Sequence, residues 1–142
     1  MSLKNPKKKM SKSSLDSGGT LDLLDSPKKI SKKIAAAVTD SGREIRASIT
    51  KPGITNLLTI YSVITKKSIS ELEKQYQGKN YGQFKADLAK KMIEFLKPIQ
   101  DKYQKISQNE DELEKILQKG IKEARSISQE TLRNAFQKMG LG

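Results

Sequence analysis

The chain has 142 residues, enough for one domain with a real core, and 31% of them are charged against 35% hydrophobic. A net charge of +12 points to polyanionic partners, nucleic acid ahead of an anionic membrane surface. With neither cysteine nor histidine, the chain can hold no disulfide, no Cys/His metal site, no Ser-His-Asp triad and no histidine general base, so no metal site is expected. No apolar run is long enough for a membrane span, and residues 1–14 lack the apolar stretch of a signal peptide. A soluble, cytoplasmic protein with no membrane partner is the expectation. Lys, Glu, Gln, Leu and Ala outweigh β-branched and aromatic runs, which favours helices.

Residues 1–25 are rich in Lys, Ser, Gly and Asp without apolar periodicity, and are read as a flexible basic loop segment. Met1-Ser2-Leu3 reads as an appendage of cloning. Ser26-Pro27 is a helix start, with serine as N-cap and proline at the first helical position. Ile30, Ile34 and Val38 give one apolar stripe on a helix near residues 27–38. In Arg43–Thr50, Ile45, Ala47 and Ile49 alternate; a lone strand is not viable, so an extended connector is expected. Pro52-Gly53 opens a helix with Leu57, Ile60, Tyr61 and Ile64 on one face, and the capping box Ser68–Glu71 starts a short helix that stops at Gly78. From about Gly82 to Ser107, Phe84, Leu88, Met92, Phe95, Leu96, Ile99, Tyr103 and Ile106 keep helical spacing across Pro98, where a kink is expected. A second capping box at Asn109–Glu112 opens the last helical segment, striped by Leu113, Ile116, Leu117, Ile121, Ala124, Leu132, Ala135, Phe136 and Met139 and stopped by Gly140. Its continuity through Ser126-Ile127-Ser128 stays open. Phe84, Phe95, Tyr103 and Phe136 are expected in the core, and Glu110-Asp111-Glu112 suit the positive end of a helix dipole. The fold class is all-α: a helical bundle over residues 26–142 preceded by the loop segment 1–25.

Lys9-Met10-Ser11-Lys12-Ser13 reads KMSKS, the second signature of class I aminoacyl-tRNA synthetases. Ala36-Ala37-Val38-Thr39-Asp40-Ser41 resembles the AVTDS stretch of bacterial-type tryptophanyl-tRNA synthetases. Lys51-Pro52-Gly53-Ile54-Thr55-Asn56-Leu57-Leu58, with Ile60-Tyr61-Ser62, resembles their KPG-x-x-NLL-x-IYS segment. Tyr81-Gly82-Gln83-Phe84-Lys85 with Leu88-Ala89, Leu96-Lys97-Pro98-Ile99-Gln100 and Met139-Gly140-Leu141 follow in family order. The resemblance covers nearly all of residues 6–142.

What the resemblance implies is a C-terminal portion of tryptophan–tRNA ligase, from the KMSKS loop to the C-terminus. In adenylate formation a carboxylate attacks the α-phosphate and pyrophosphate leaves. Two ammonium groups three residues apart on a loop of small residues can stabilise the charge on those departing oxygens. Lys9 and Lys12 would be the catalytic cations, and Met10, Ser11 and Ser13 would complete the ATP-binding loop; Lys7 and Lys8 read as solvated neighbours. The Rossmann-type catalytic domain, with its HIGH-like motif, has no counterpart here. The expectation is therefore a piece of a longer enzyme, inactive by itself, with ATP, Mg2+ and tryptophan bound by the complete protein. The partner implied is tRNA for tryptophan rather than DNA, held at the anticodon stem-loop. Candidate contacts are Arg43, Arg46, Lys51, Lys79, Lys85, Lys122, Arg125 and Arg133, with Tyr81 as a stacking residue or a loop anchor. Family members are homodimers through the absent half, so the fragment is expected to be a monomer. The alternative is a free-standing basic helical module that binds RNA without catalysis.

Overall fold

The computed structural model describes residues 1–13 and 17–141. Its elements are a 3-10 turn at Ser17–Gly19 and five helices: α1 (Pro27–Ala35), α2 (Pro52–Thr65), α3 (Ile69–Gln75), α4 (Tyr81–Ser107) and α5 (Glu110–Lys138). Among the described residues there is no strand, so the all-α expectation holds. Two compact units divide between Gln100 and Asp101, within α4. Residues 14–16 of the segment 1–25 lie outside the described residues.

The first unit is built on α2. Ile54, Leu57, Leu58 and Tyr61 are all buried there and meet Ile30 and Ile34 of α1, Leu72 of α3, and Phe84, Leu88, Met92 and Leu96 of α4. Each Leu or Ile so buried contributes about 1.5–3 kcal/mol relative to exposure. Tyr61, Tyr76 and Phe84 form a mutually tilted aromatic trio with centroids 5.0–5.8 Å apart. The Tyr61 and Tyr76 hydroxyls lie 2.9 Å apart, and Tyr76 donates to Asp87 at 3.0 Å, so the polar tips inside the trio are satisfied.

α1 ends three residues earlier than its stripe suggests. After Ala36 the chain turns away because the Val38 N–H donates to the Leu3 carbonyl at 2.8 Å instead of continuing the helix, and Val38 is left exposed. α2 then starts hard against this stretch: a Cβ on Gly53 would lie 2.4 Å from the Val38 carbonyl oxygen and 3.0 Å from Thr39 Cα. Only glycine fits that approach without moving backbone. The connector that follows Gly42 is irregular, with Ile45 buried, Ala47 half-buried and Ile49 out in solvent.

The residues ahead of α1 are packed with this unit. Leu3 is buried in the core, its N–H donating to the Gly19 carbonyl at 2.8 Å. Asn56 of α2 holds the amino end: its Nδ2 donates to the Met1 and Ser2 carbonyls at 3.1 and 3.2 Å, and its Oδ1 accepts from the Met1 nitrogen at 2.9 Å. Met1-Ser2-Leu3 therefore pack as part of the first unit.

The Ser68 box forms in full, with Ser68 Oγ accepting from the Glu71 N–H and Glu71 accepting from the Ser68 N–H. The Asn109 box forms by half: Asn109 Oδ1 accepts from the Glu112 N–H at 3.2 Å, while the Asn109 N–H goes to Ile106. α5 is continuous through 126–128 and ends in a Schellman motif, Leu141 N–H to Phe136 and Gly140 N–H to Gln137, with Gly140 at φ 70°. The burial expected on this helix is not found. No α5 residue is buried, and Phe95, Tyr103 and Phe136 are 45%, 52% and 43% exposed rather than in the core. Two helical stretches beyond Asp101 are too few to enclose a side chain from all sides.

Candidate functional site

The KMSKS segment is tethered at both flanks. On its amino side, the Ser2 N–H donates to the Lys8 carbonyl at 2.7 Å, and Asn56 and buried Leu3 fix Ser2 in turn. On its carboxyl side, Thr20 Oγ1 donates to the Ser11 carbonyl at 3.2 Å, and Leu21 packs on the core. Met10 turns inward against the core, and the Ser11 and Ser13 hydroxyls lie 3.0 Å apart. Lys9 and Lys12 are exposed, so both ammonium groups are open to an anionic ligand.

A charged knot that the sequence reading did not find joins the residues just before α1 to that helix. Asp25, 3% exposed, accepts from Lys33 Nζ and from the Asp22 N–H at 3.0 Å, with Lys29 at 3.8 Å. Lys33 also reaches Asp22 at 3.1 Å. Burial works to raise the Asp25 pKa, but the Lys33 hydrogen bond, the Asp22 N–H and the two lysine charges overrule it and hold the carboxyl below its ordinary value. Gln100 Nε2 closes the knot from α4, donating to the Leu23 and Asp25 carbonyls at 2.7 and 3.1 Å.

The nine RNA-contact candidates divide into three groups. Tyr81, Lys85 and Lys51 do structural work. The Tyr81 hydroxyl lies 2.9 and 3.0 Å from the two Asp40 carboxylate oxygens and 3.0 Å from the Glu44 carbonyl. Burial first, and then the Asp40 hydrogen bond and charge, push its pKa up to about 12. Lys85 Nζ donates to the Ala37 and Ala35 carbonyls at 2.7 and 3.3 Å, satisfying backbone acceptors at the end of α1, and burial lowers its pKa. Lys51 Nζ reaches the Glu44 carbonyl at 3.4 Å and its carboxylate at 3.9 Å.

Arg43, Arg46 and Lys79 form the second group. They line one cavity of about 690 Å3 between the connector, the end of α3 and the first turn of α4, together with Glu73, Lys74 and Gln83. Lys79 also stands 4.8 Å above the Tyr76 ring. The connector wall is fixed by Glu73, whose Oε1 accepts from the Ala47 N–H at 2.6 Å. Lys122, Arg125 and Arg133 form the third group, exposed along α5 in the other unit. Asn80-x-x-Gln83, a capping-box spacing, was the signal that could have pointed to the cavity's floor.

Among the described residues no three acidic, histidine or cysteine side chains gather to hold a metal, and no helix is long and apolar enough to cross a membrane.

A family model of tRNA synthetases class I (W and Y) matches residues 1–97. The chain is 48% identical to a tryptophan–tRNA ligase of Oceanobacillus iheyensis over 100% of its own length and 43% of the relative's. It is 46% identical to the tryptophan–tRNA ligase of Bacillus subtilis with the same coverage. The crystal structure of tryptophanyl-tRNA synthetase from Mycoplasma pneumoniae superposes with a TM-score of 0.80 at 36% identity, over 100% of this chain and 43% of that one. The chain thus spans under half the length of the curated relatives it matches, and it belongs to the class I tRNA synthetases of the tryptophan and tyrosine group.

Proposed function

We propose that this chain serves as the C-terminal part of a cytoplasmic tryptophan–tRNA ligase, supplying the ATP loop and the helices that hold the tRNA anticodon stem-loop. The observation that carries the reading is the tethered KMSKS segment: two exposed lysines on a strip whose flanks are fixed by Asn56, Leu3 and Thr20. In the complete ligase the tryptophan carboxylate attacks the α-phosphorus of ATP, the bond to the bridging oxygen breaks, and pyrophosphate departs with added negative charge. Lys9 and Lys12 donate to the departing oxygens, and their attraction is stronger in the transition state than in the ground state. Met10, held on the core, limits how far the strip can wander. The residues offered here, Lys9 and Lys12, are cationic and fit a triphosphate; Mg2+ would come with ATP and would supply further positive charge against the phosphates.

Charge on the helical body supports the second half of the reading. Arg43, Arg46 and Lys79 around one cavity, and Lys122, Arg125 and Arg133 along α5, supply phosphate contacts for an RNA stem-loop. The chain alone is a monomer that makes no adenylate, since the tryptophan pocket and the dimer contact belong to the other half. Replacing Lys9→Ala and Lys12→Ala in the intact ligase tests the mechanism by tryptophan-dependent ATP–pyrophosphate exchange. A fall of about 10^2–10^3 in kcat is expected, the loss typical of one or more transition-state donors. An unchanged kcat removes the lysines from the chemistry.

A further inference from the structure

Asn56 stands at the root of the KMSKS segment without belonging to it. The residue lies on α2, is only 8% exposed, and has both amide N–H donors engaged. Nδ2 donates to the Met1 carbonyl at 3.1 Å and to the Ser2 carbonyl at 3.2 Å, and Oδ1 accepts from the Met1 nitrogen at 2.9 Å. The amide can face only one way, since a flip would set Oδ1 against two carbonyl oxygens.

Each of those two carbonyls belongs to a planar trans peptide with an N–H on its opposite side. The Met1 carbonyl shares its peptide with the Ser2 N–H, which donates to the Lys8 carbonyl at 2.7 Å. The Ser2 carbonyl shares its peptide with the Leu3 N–H, which donates to the Gly19 carbonyl at 2.8 Å. One side chain thus sets two consecutive peptide planes. Their N–H groups hold the backbone at residues 8 and 19, on either side of Lys9 and Lys12. Bonds in such a chain polarise and strengthen one another. The second anchor is also close-fitting, because a Cβ on Gly19 would lie 2.5 Å from Ser2 Oγ.

We infer that Asn56 is a positioning residue for adenylate formation: from α2 it orients the two peptides that anchor the strip carrying Lys9 and Lys12, and it acts on the reaction through those lysines. The inference rests on the proposed role of the two lysines in the departure of pyrophosphate, and it adds the residue that fixes where their strip is held.

The test is a double-mutant cycle in the intact ligase, read by tryptophan-dependent ATP–pyrophosphate exchange. Asn56→Asp keeps the shape but sets a carboxylate oxygen against the Met1 and Ser2 carbonyls; Asn56→Ala removes the bonds without adding charge. Either should lower kcat about tenfold to a hundredfold, the cost of misplacing a group by about 1 Å, and leave the tryptophan KM unchanged. In ligase already carrying Lys9→Ala and Lys12→Ala, the same substitutions should cost less than about twofold, because the groups they misplace are gone. Trypsin supplies a readout apart from activity: it should cut after Lys9 and Lys12 in Asn56→Ala parent ligase about fivefold faster, as for one lost hydrogen bond, with cuts elsewhere unchanged. An unchanged kcat, an equal loss in both backgrounds, a tryptophan KM that rises in step, or faster cutting everywhere alike overturns the positioning role. If the lysine substitutions lower kcat and Asn56 does not couple to them, this inference alone fails. If the lysine substitutions leave kcat unchanged, the catalytic reading of the strip fails and takes this inference with it.

Discussion

At Asp25 a single carboxylate ties the residues just before α1 to Lys33 of that helix, and its titration should be visible in the stability of the first unit. The group is almost fully buried and bonded to Lys33, so the native state favours its charged form, and its pKa lies below the ordinary 3.8. On acidification the unfolded chain takes up the proton first. The stabilisation is therefore full above the unfolded pKa and is lost as pH falls toward the native one. Asp25→Asn removes this dependence and strands Lys33 beside Asp22 alone, with an expected loss of roughly 3 kcal/mol near neutral pH, as for a broken buried pair. Urea unfolding at pH 7 and pH 3 checks it: the gap between parent and variant should narrow at the lower pH. A gap that is constant with pH would mean that packing, not charge, is what the substitution removes. Nothing in the sequence singled out Asp25 or Lys33, because their eight-residue separation matches neither helical pairing nor a motif; only the fold brings a loop carboxylate onto α1.

Helices were more legible than their surroundings. Ser26-Pro27, Pro52-Gly53 and Ser68–Glu71 announce helix starts through local chemistry that the tertiary structure leaves intact, and the observed starts fall on them. Helix α1 stops earlier because a distant carbonyl, that of Leu3, takes the Val38 N–H, a competition no local pattern encodes. On α5 the periodicity is right and the burial is not: Ile116, Leu117, Ile121 and Phe136 share a stripe, but all are more than 40% exposed. A period of 3.6 marks an apolar face without saying what covers it. With no buried residue, α5 depends on intrinsic propensity more than the other helices do. Gly120 lies in its interior, where an added Cβ meets nothing within 4 Å. Gly120→Ala should therefore stabilise the helix by about 1 kcal/mol. Amide exchange within α5 should slow about fivefold, while the amides of the first unit keep their rates. Unchanged exchange along α5 would show that packing already sets its opening free energy.

Over the whole molecule, the net charge of +12 points toward an anionic partner but does not say which cations are free to meet one. The fold sorts them. Lys85 is turned inward onto the Ala35 and Ala37 carbonyls and Lys51 onto Glu44, whereas Arg43 and Arg46 stay exposed on the cavity rim. The KMSKS lysines could be read directly because their chemistry is contiguous in the chain; the rim could not, since it joins a connector to a turn more than thirty residues away. This sorting has a measurable consequence in RNA binding. Each phosphate neutralised by a protein cation releases counterions, and the slope of log Kobs against log salt steepens by about 0.7–0.9 per contact. Arg43→Gln with Arg46→Gln should flatten the slope for tryptophan-accepting tRNA by about 1.4–1.8, with little change in Tm, because neither side chain is buried. Lys85→Gln should do the reverse, lowering Tm through the lost bonds at the end of α1 and leaving the slope alone. If Lys85→Gln flattened the slope as much as the arginine pair did, the lysine would be meeting phosphate rather than α1. The inward assignment of Lys85 would then be wrong for the RNA-bound protein.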